Sequence, residues 1–112
     1  MSDAARLSAN AGGLWSGTIH FTVFNGRTFD TSMTAKVNSE LANVTVAVPG
    51  SGAETVIGRR AGNGVSWSSP GDDSVTEMTL QPAAKGLAQV TARVTRNGSV
   101  LATGTGVFSK NK

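Results

Sequence analysis

The sequence contains no cysteine and no tyrosine, and it has one histidine, His20. Without cysteine the chain cannot form a disulfide, a zinc–thiolate site or a thiol nucleophile. A single histidine also excludes metal sites built from several histidines. We therefore expect no metal and no cofactor. The sequence has no apolar run of about 18 residues, so no membrane-spanning helix is predicted and we expect no membrane partner.

Charge is sparse and spread along the chain. The sequence has ten lysines and arginines and seven acidic residues, which gives a net charge of +3. The longest basic run is Arg59-Arg60, and the aromatic residues are four phenylalanines and two tryptophans. A nucleic-acid-binding face concentrates basic residues and interleaves aromatic ones, so we expect no nucleic-acid partner. Met1–Gly13 has neither the basic start nor the apolar stretch of a secretory leader, so a cytoplasmic location is expected.

The length of 112 residues fits one domain. We interpret residues 1–13 as a flexible N-terminal arm and residues 14–112 as a single β-barrel domain. From residue 14 onward, apolar and polar residues alternate with a period of two, and turn signals recur as in all-β proteins. The eight predicted strands are Leu14–Val23, Arg27–Val37, Ala42–Val48, Thr55–Arg59, Gly64–Ser68, Ser74–Gln81, Leu87–Thr95 and Ser99–Ser109.

The connections between these strands are too short for parallel crossovers, so consecutive strands should pair antiparallel. Two architectures would bury one apolar face of such a meander. The expected fold is an eight-stranded antiparallel up-and-down β-barrel, because closure removes exposed edges. The alternative is a two-layer β-sandwich.

The first hairpin allows its register to be derived. A three-residue loop, Phe24–Gly26, places Phe21 opposite Phe29 and separates the apolar residues cleanly from the polar ones. A two-residue loop would mix the two faces. Similar residues at Arg96–Gly98 predict a second three-residue loop.

The inward face of the predicted barrel is rich in small residues. If bulky side chains do not fill a barrel of this size, it can hold one small ligand. We therefore hypothesise an apolar cavity and a non-enzymatic protein that binds a small apolar or aromatic ligand. The other interpretation is a tightly packed interior in which glycine marks bulges and bends. The small inward residues are Gly17, Ala35, Ala42, Ala88, Ala92, Ala102, Gly104 and Gly106. The candidate ligand-binding residues are Trp15, Met33, Trp67, Ser74, Thr76 and Met78.

Two other functions are compatible with the pattern. The outward strand faces are rich in hydroxyl groups and could form a flat subunit interface, which would make the protein a structural or oligomeric interaction module such as a homodimer. Those residues are Thr18, Thr22, Ser32, Thr34, Thr91, Thr103 and Thr105. Alternatively, the cavity could act as a template for a small cyclase or isomerase.

Catalytic residues are scarce. The derived register places His20 opposite Asp30, with Ser32 on the diagonal. These residue types serve nucleophilic catalysis. However, they lie on a polar strand face, where a cross-strand charge pair is the simpler interpretation. We assign no catalytic residue.

Four short segments resemble the calycin group of small meander barrels, which includes the avidins and lipocalins. Gly13-Leu14-Trp15 is similar to their Gly-x-Trp start, and Gly64–Trp67 to an avidin strand that ends in a ligand-facing tryptophan. Ser74–Thr76 and Gly104–Lys110 resemble later avidin segments. The likeness covers about twenty residues. It implies a barrel whose cavity is lined by Trp15 and Trp67, together with Ser74 and Thr76.

Biotin binding is not expected, because the polar residues of the avidin pattern are replaced. Gly17 stands where avidins have asparagine, and Gly106 stands where they have aspartate. Thr76–Leu80 replaces their Thr-Thr-Trp-Ser-Gly run. The ureido group of biotin would lack hydrogen-bond partners, and a buried polar group without partners is costly. The disulfides of lipocalins are also missing.

Overall fold

A computed structural model describes residues 11–48, 50, 52–70, 73–83 and 85–111 of the chain. Within them the backbone forms nine β-strands, and no helix there is long and apolar enough to cross a membrane. The strands are β1 (Gly13–Val23), β2 (Thr28–Asn38), β3 (Asn43–Val48), β4 (Gly52–Ile57), β5 (Arg59–Ala61), β6 (Gly64–Pro70), β7 (Val75–Pro82), β8 (Leu87–Arg96) and β9 (Ser99–Asn111).

All nine strands belong to one antiparallel sheet in the order β4-β3-β2-β1-β9-β8-β7-β6-β5. The sheet curls until β4 lies next to β6, although no hydrogen-bonded ladder joins these two strands within the described residues. The molecule is therefore a nearly closed up-and-down β-barrel with one seam. The predicted barrel class is confirmed, and the architecture is compatible with a calycin-like fold.

The predicted number of eight strands is wrong because the predicted strand Thr55–Arg59 is divided. The strand is interrupted at Gly58, whose N–H donates to the carbonyl oxygen of Ala42 at 2.8 Å. Before the break, β4 pairs with β3; after it, β5 pairs with β6. At this point the chain therefore changes the strand with which it pairs, from one side of the seam to the other. The alternation of apolar residues is the same with or without this change, so it could not predict the division.

The first hairpin has the predicted register. Phe21 lies opposite Phe29, and the N–H of Val23 donates to the carbonyl oxygen of Arg27 at 2.7 Å, which closes a three-residue loop. Gly26 has a φ of 90°, a left-handed conformation that glycine adopts without steric cost. Burial of one face therefore sets this register, as the sequence pattern predicts.

The second hairpin differs from its prediction. Arg96 pairs directly with Ser99, so the loop has two residues. Asn97 and Gly98 have φ values of 50° and 83°, as in a type I′ turn. A register shift after Val94 restores the inward face further along the strand.

Parts of the barrel interior are densely packed, with many fully buried side chains. The inward glycines belong to this packing: a Cβ at Gly17 would lie 2.6 Å from Cδ1 of Phe108, and one at Gly104 would lie 2.7 Å from Cγ2 of Ile19. At these two positions glycine makes room for a neighbouring side chain. The largest fully buried side chains are Trp15, Ile19, Val44, Val65, Leu80, Val90 and Phe108.

The first ten residues of the predicted N-terminal arm lie outside the described part of the chain. Of the remaining arm residues, Ala11 is fully buried and Gly13 begins β1. The arm predicted over residues 1–13 therefore ends in residues that belong to the barrel.

Candidate ligand-binding site

A cavity of about 670 Å³ lies inside the barrel at the end that carries the β1–β2 turn. Its volume falls within the usual range of small-molecule sites, about 300–1,000 Å³. Most of its lining is apolar, and it is open to solvent. The apolar lining residues are Phe21, Phe29, Met33, Val46, Val48, Ala53, Met78 and Val94. The remaining lining residues are Thr31, Gly52, Glu54, Ser69 and Thr76.

Two stacked phenylalanines form the wall of the cavity nearest the β1–β2 turn. The ring centroids of Phe21 and Phe29 lie 5.0 Å apart with an angle of 14° between the ring planes. Phe21 is buried, whereas Phe29 is 48% exposed. The pair therefore extends from the barrel interior to the rim and offers an apolar surface to a molecule that enters.

Met33 and Met78 line the cavity from different sides of the barrel, on β2 and β7, and both are buried. Met33 lies opposite Gly17, and Met78 lies opposite Ala92, so each methionine has a small cross-strand neighbour. Methionine adapts to irregular shapes because its side chain is unbranched. These two side chains can therefore adjust to different ligand outlines.

The polar groups of the cavity come from four strands. Thr31 lies on β2, Glu54 on β4, Ser69 on β6 and Thr76 on β7. Ser69 and Thr76 are directly paired across β6 and β7. Few polar groups in an otherwise apolar site are typical of ligand pockets, where they orient the bound molecule.

Trp15 lies away from the cavity, near the opposite end of β1. It is six residues from Phe21 along β1, a separation of roughly 20 Å at about 3.3 Å per residue. Its indole N–H donates to the carbonyl oxygen of Ala11 at 2.8 Å, and the Lys110 ammonium lies 5.0 Å from the ring centroid. These contacts explain the burial of Trp15 through packing alone.

Trp67 lines a different groove, which runs along the seam where β4 approaches β6. Ile57 and Met78 line the same groove, so Met78 lies between this groove and the cavity. Trp67 is 3% exposed, and its Nε1 has no hydrogen-bond partner among the described residues. Within the described part of the chain, this buried indole N–H is thus a donor without an acceptor.

Ser74 lies in a third place, a surface groove beside Asp73 and Arg96. The structure therefore brings Met33, Thr76 and Met78 together in one cavity and places the other three predicted residues elsewhere. The sequence interpretation did not include Phe21, Phe29 and Glu54 among the site residues. If the predicted strand had begun at Gly52, the alternation of Gly52, Glu54 and Val56 would have placed Glu54 on the inward face.

His20 and Asp30 form the predicted cross-strand pair on the outer surface. His20 Nδ1 and Asp30 Oδ1 are 2.6 Å apart, and the two side chains are 60% and 64% exposed. Ser32 shares a hydrogen bond of 3.2 Å with Thr18, on the same outer face. The pair lies on an open strand surface, which gives a substrate no enclosure.

Comparison with known proteins adds no functional information. No protein-family model matches the sequence, and no curated protein matches it significantly. Within the described residues, no three histidine or acidic side chains are grouped as metal ligands.

Proposed function

We propose that this protein is a non-enzymatic binding protein that takes up a small apolar or aromatic molecule in the cavity at the open end of the barrel. The observation that supports the proposal is the cavity of about 670 Å³ with mainly apolar side chains around it. The buried rings and thioethers of Phe21, Met33 and Met78 offer the ligand a surface from which water can be displaced.

The energetics favour moderate affinity. A ligand that buries about 200 Å² of apolar surface gains roughly 5 kcal/mol at about 25 cal/mol per Å². Loss of translational and rotational freedom opposes part of this gain. Hydrogen bonds to Thr31, Ser69 or Thr76 would favour one orientation of the ligand over others.

A filled cavity tests the proposal. Thr31→Trp adds a large side chain to the open part of the cavity, since Thr31 lines it and is only partly buried. Ser32→Trp is the matched control, because Ser32 is the next residue of the same strand and is exposed on the outer face. The probe is N-phenyl-1-naphthylamine, a neutral aromatic dye whose fluorescence rises in apolar surroundings.

The expected result is binding by the wild-type protein and by Ser32→Trp, with at least about tenfold weaker binding by Thr31→Trp. This factor corresponds to about 1.4 kcal/mol. If the wild-type protein leaves the dye fluorescence unchanged, the proposal is wrong. Equal loss in both variants would also count against it, because dye bound on the outer surface would explain that result.

The assembly module and the template enzyme remain alternatives, and membership of the calycin group stays a prediction about the fold. The outer face carries a row of paired hydroxyl residues, Thr79, Thr91 and Thr105, on adjacent strands. Such a face is compatible with a homodimer, for which light scattering is the test. A template enzyme would have to act with Glu54 as the ionisable group of the described cavity lining. A cytoplasmic location stays a prediction.

A further inference from the structure

We propose that the ligand of this cavity carries a positively charged amine, and that the carboxylate of Glu54 binds this amine while the apolar part of the ligand lies inside the barrel. This inference rests on the proposed function and adds to it the chemical class of the ligand, an amphiphilic cation. It follows from three features: the direction of Glu54, the charges around the cavity, and the stacked phenylalanines.

The position of Glu54 on β4 turns its side chain toward the barrel interior. Glu54 lies directly opposite Val46 of β3, which is 9% exposed and belongs to the core. The neighbouring position with the same parity, Val56, lies opposite Val44, which is fully buried. Side chains at alternate positions share a face of a strand, so Glu54 points to the inner face although it is exposed at the rim.

Glu54 supplies the charge of the cavity lining. The other described lining residues are apolar or carry hydroxyl groups, or are glycine. Ion pairs within the described residues join His20 to Asp30, Arg93 to Glu77 and Arg96 to Asp73, and none of them includes Glu54. A ligand amine would therefore reach a carboxylate that forms no ion pair with another described side chain.

Two arginines lie at the same end of the barrel, Arg27 in the β1–β2 turn and Arg96 at the end of β8. Arg96 lies 4.0 Å from the carboxylate of Asp73, so its charge is partly balanced. Arg27 closes the β1–β2 turn through its backbone carbonyl group. Neither arginine lines the cavity. At contact distance a ligand headgroup therefore meets Glu54 rather than a cation.

The stacked phenylalanines also favour a ligand with a positive charge. The face of an aromatic ring is electron-rich and attracts a cation within about 6 Å of its centroid. Phe29 is 48% exposed beside the cavity, so part of its ring is accessible to a ligand. A carboxylate ligand would gain nothing from the ring face and would be repelled by Glu54.

Three probes with the same nine-carbon chain separate charge from apolar contact: nonylamine, nonanol and nonanoate. Each is titrated against N-phenyl-1-naphthylamine bound to the full chain, for the wild-type protein and for Glu54→Gln, Glu54→Lys and the control Glu77→Gln. Glu77 is also an exposed glutamate, but it is paired with Arg93 on the outer face.

For the wild-type protein and Glu77→Gln, nonylamine should bind about fivefold more tightly than nonanol, and nonanoate more weakly than both. This factor corresponds to an exposed ion pair of about 1 kcal/mol. Glu54→Gln should bring nonylamine within about twofold of nonanol and leave nonanol unchanged. Glu54→Lys should reverse the order of the amine and the carboxylate.

Equal binding of nonylamine and nonanol to the wild-type protein would overturn the assignment of an amine and leave the proposed apolar binding intact. An amine preference that survives in Glu54→Gln would overturn the role of Glu54. Failure of all three probes to displace the dye would overturn this inference, and absence of dye binding itself would contradict the proposed function.

Discussion

Phe21 and Phe29 face each other across the first hairpin, and their rings stack at a centroid distance of 5.0 Å. Stacked aromatic pairs contribute about 0.5–1.5 kcal/mol beyond the area that they bury. The pair therefore holds the hairpin together and at the same time forms one wall of the cavity. At the other end of β1, Trp15 is buried and its indole N–H donates to the carbonyl oxygen of Ala11.

The two tryptophans should respond differently to the same substitution. Trp15→Phe removes an indole N–H that donates to the carbonyl oxygen of Ala11, whereas Trp67→Phe removes an N–H without an acceptor among the described residues. An unsatisfied buried group costs about 1–3 kcal/mol. We expect Trp15→Phe to lower the free energy of unfolding by at least about 1 kcal/mol more than Trp67→Phe. Urea denaturation measures both, and equal losses would contradict the assigned contacts.

Gly106 should tolerate no side chain. A Cβ there would lie 2.3 Å from the carbonyl oxygen of Thr18 on the neighbouring strand, so Gly106→Ala requires β1 and β9 to move apart. Overpacking of this kind typically costs about 1–3 kcal/mol. We expect the free energy of unfolding to fall by at least about 2 kcal/mol, as measured by urea denaturation.

Gly98→Ala is the control for this prediction, because a Cβ at Gly98 would have no neighbour within 4 Å. Its positive φ of 83° leaves a conformational cost, on the order of 1 kcal/mol. A smaller loss of unfolding free energy for Gly106→Ala than for Gly98→Ala would contradict the close approach of β1 and β9 at Gly106.

The surface pair of His20 and Asp30 should contribute little to stability or to dye binding. Because both side chains are more than half exposed, the pair contributes less than about 1 kcal/mol. We expect His20→Ala to change the free energy of unfolding by less than that amount and dye affinity by less than about twofold. Denaturation and fluorescence titration check both values. A large loss of dye binding would connect this outer face to the cavity.

The sequence pattern predicts the side of the sheet on which a residue lies more reliably than its height in the barrel. The pairing of Phe21 with Phe29 follows from alternation, because a one-residue slip would expose the apolar face. Trp15, Met33 and Trp67 all point inward as expected, yet they occupy different regions. Barrel strands are tilted by about 35–45° to the axis, so residues at one height come from different positions along their strands.

Backbone hydrogen bonding accounts for the other differences. The break at Gly58 depends on its bond to Ala42, and the two-residue turn at Asn97 and Gly98 depends on two positive φ values. Side-chain alternation is the same whether or not these occur. Glu54 was missed for a related reason, since β4 begins at Gly52 rather than at the predicted Thr55.

The most direct test of ligand binding in the cavity is a titration followed by nuclear magnetic resonance with methyl-labelled methionine and ¹⁵N-labelled tryptophan. Addition of N-phenyl-1-naphthylamine should shift the methyl signals of Met33 and Met78, which line the cavity, and leave the indole signal of Trp15 in place. Methyl signals that stay unchanged at saturating dye would contradict the account, since the bound molecule would then lie outside the barrel.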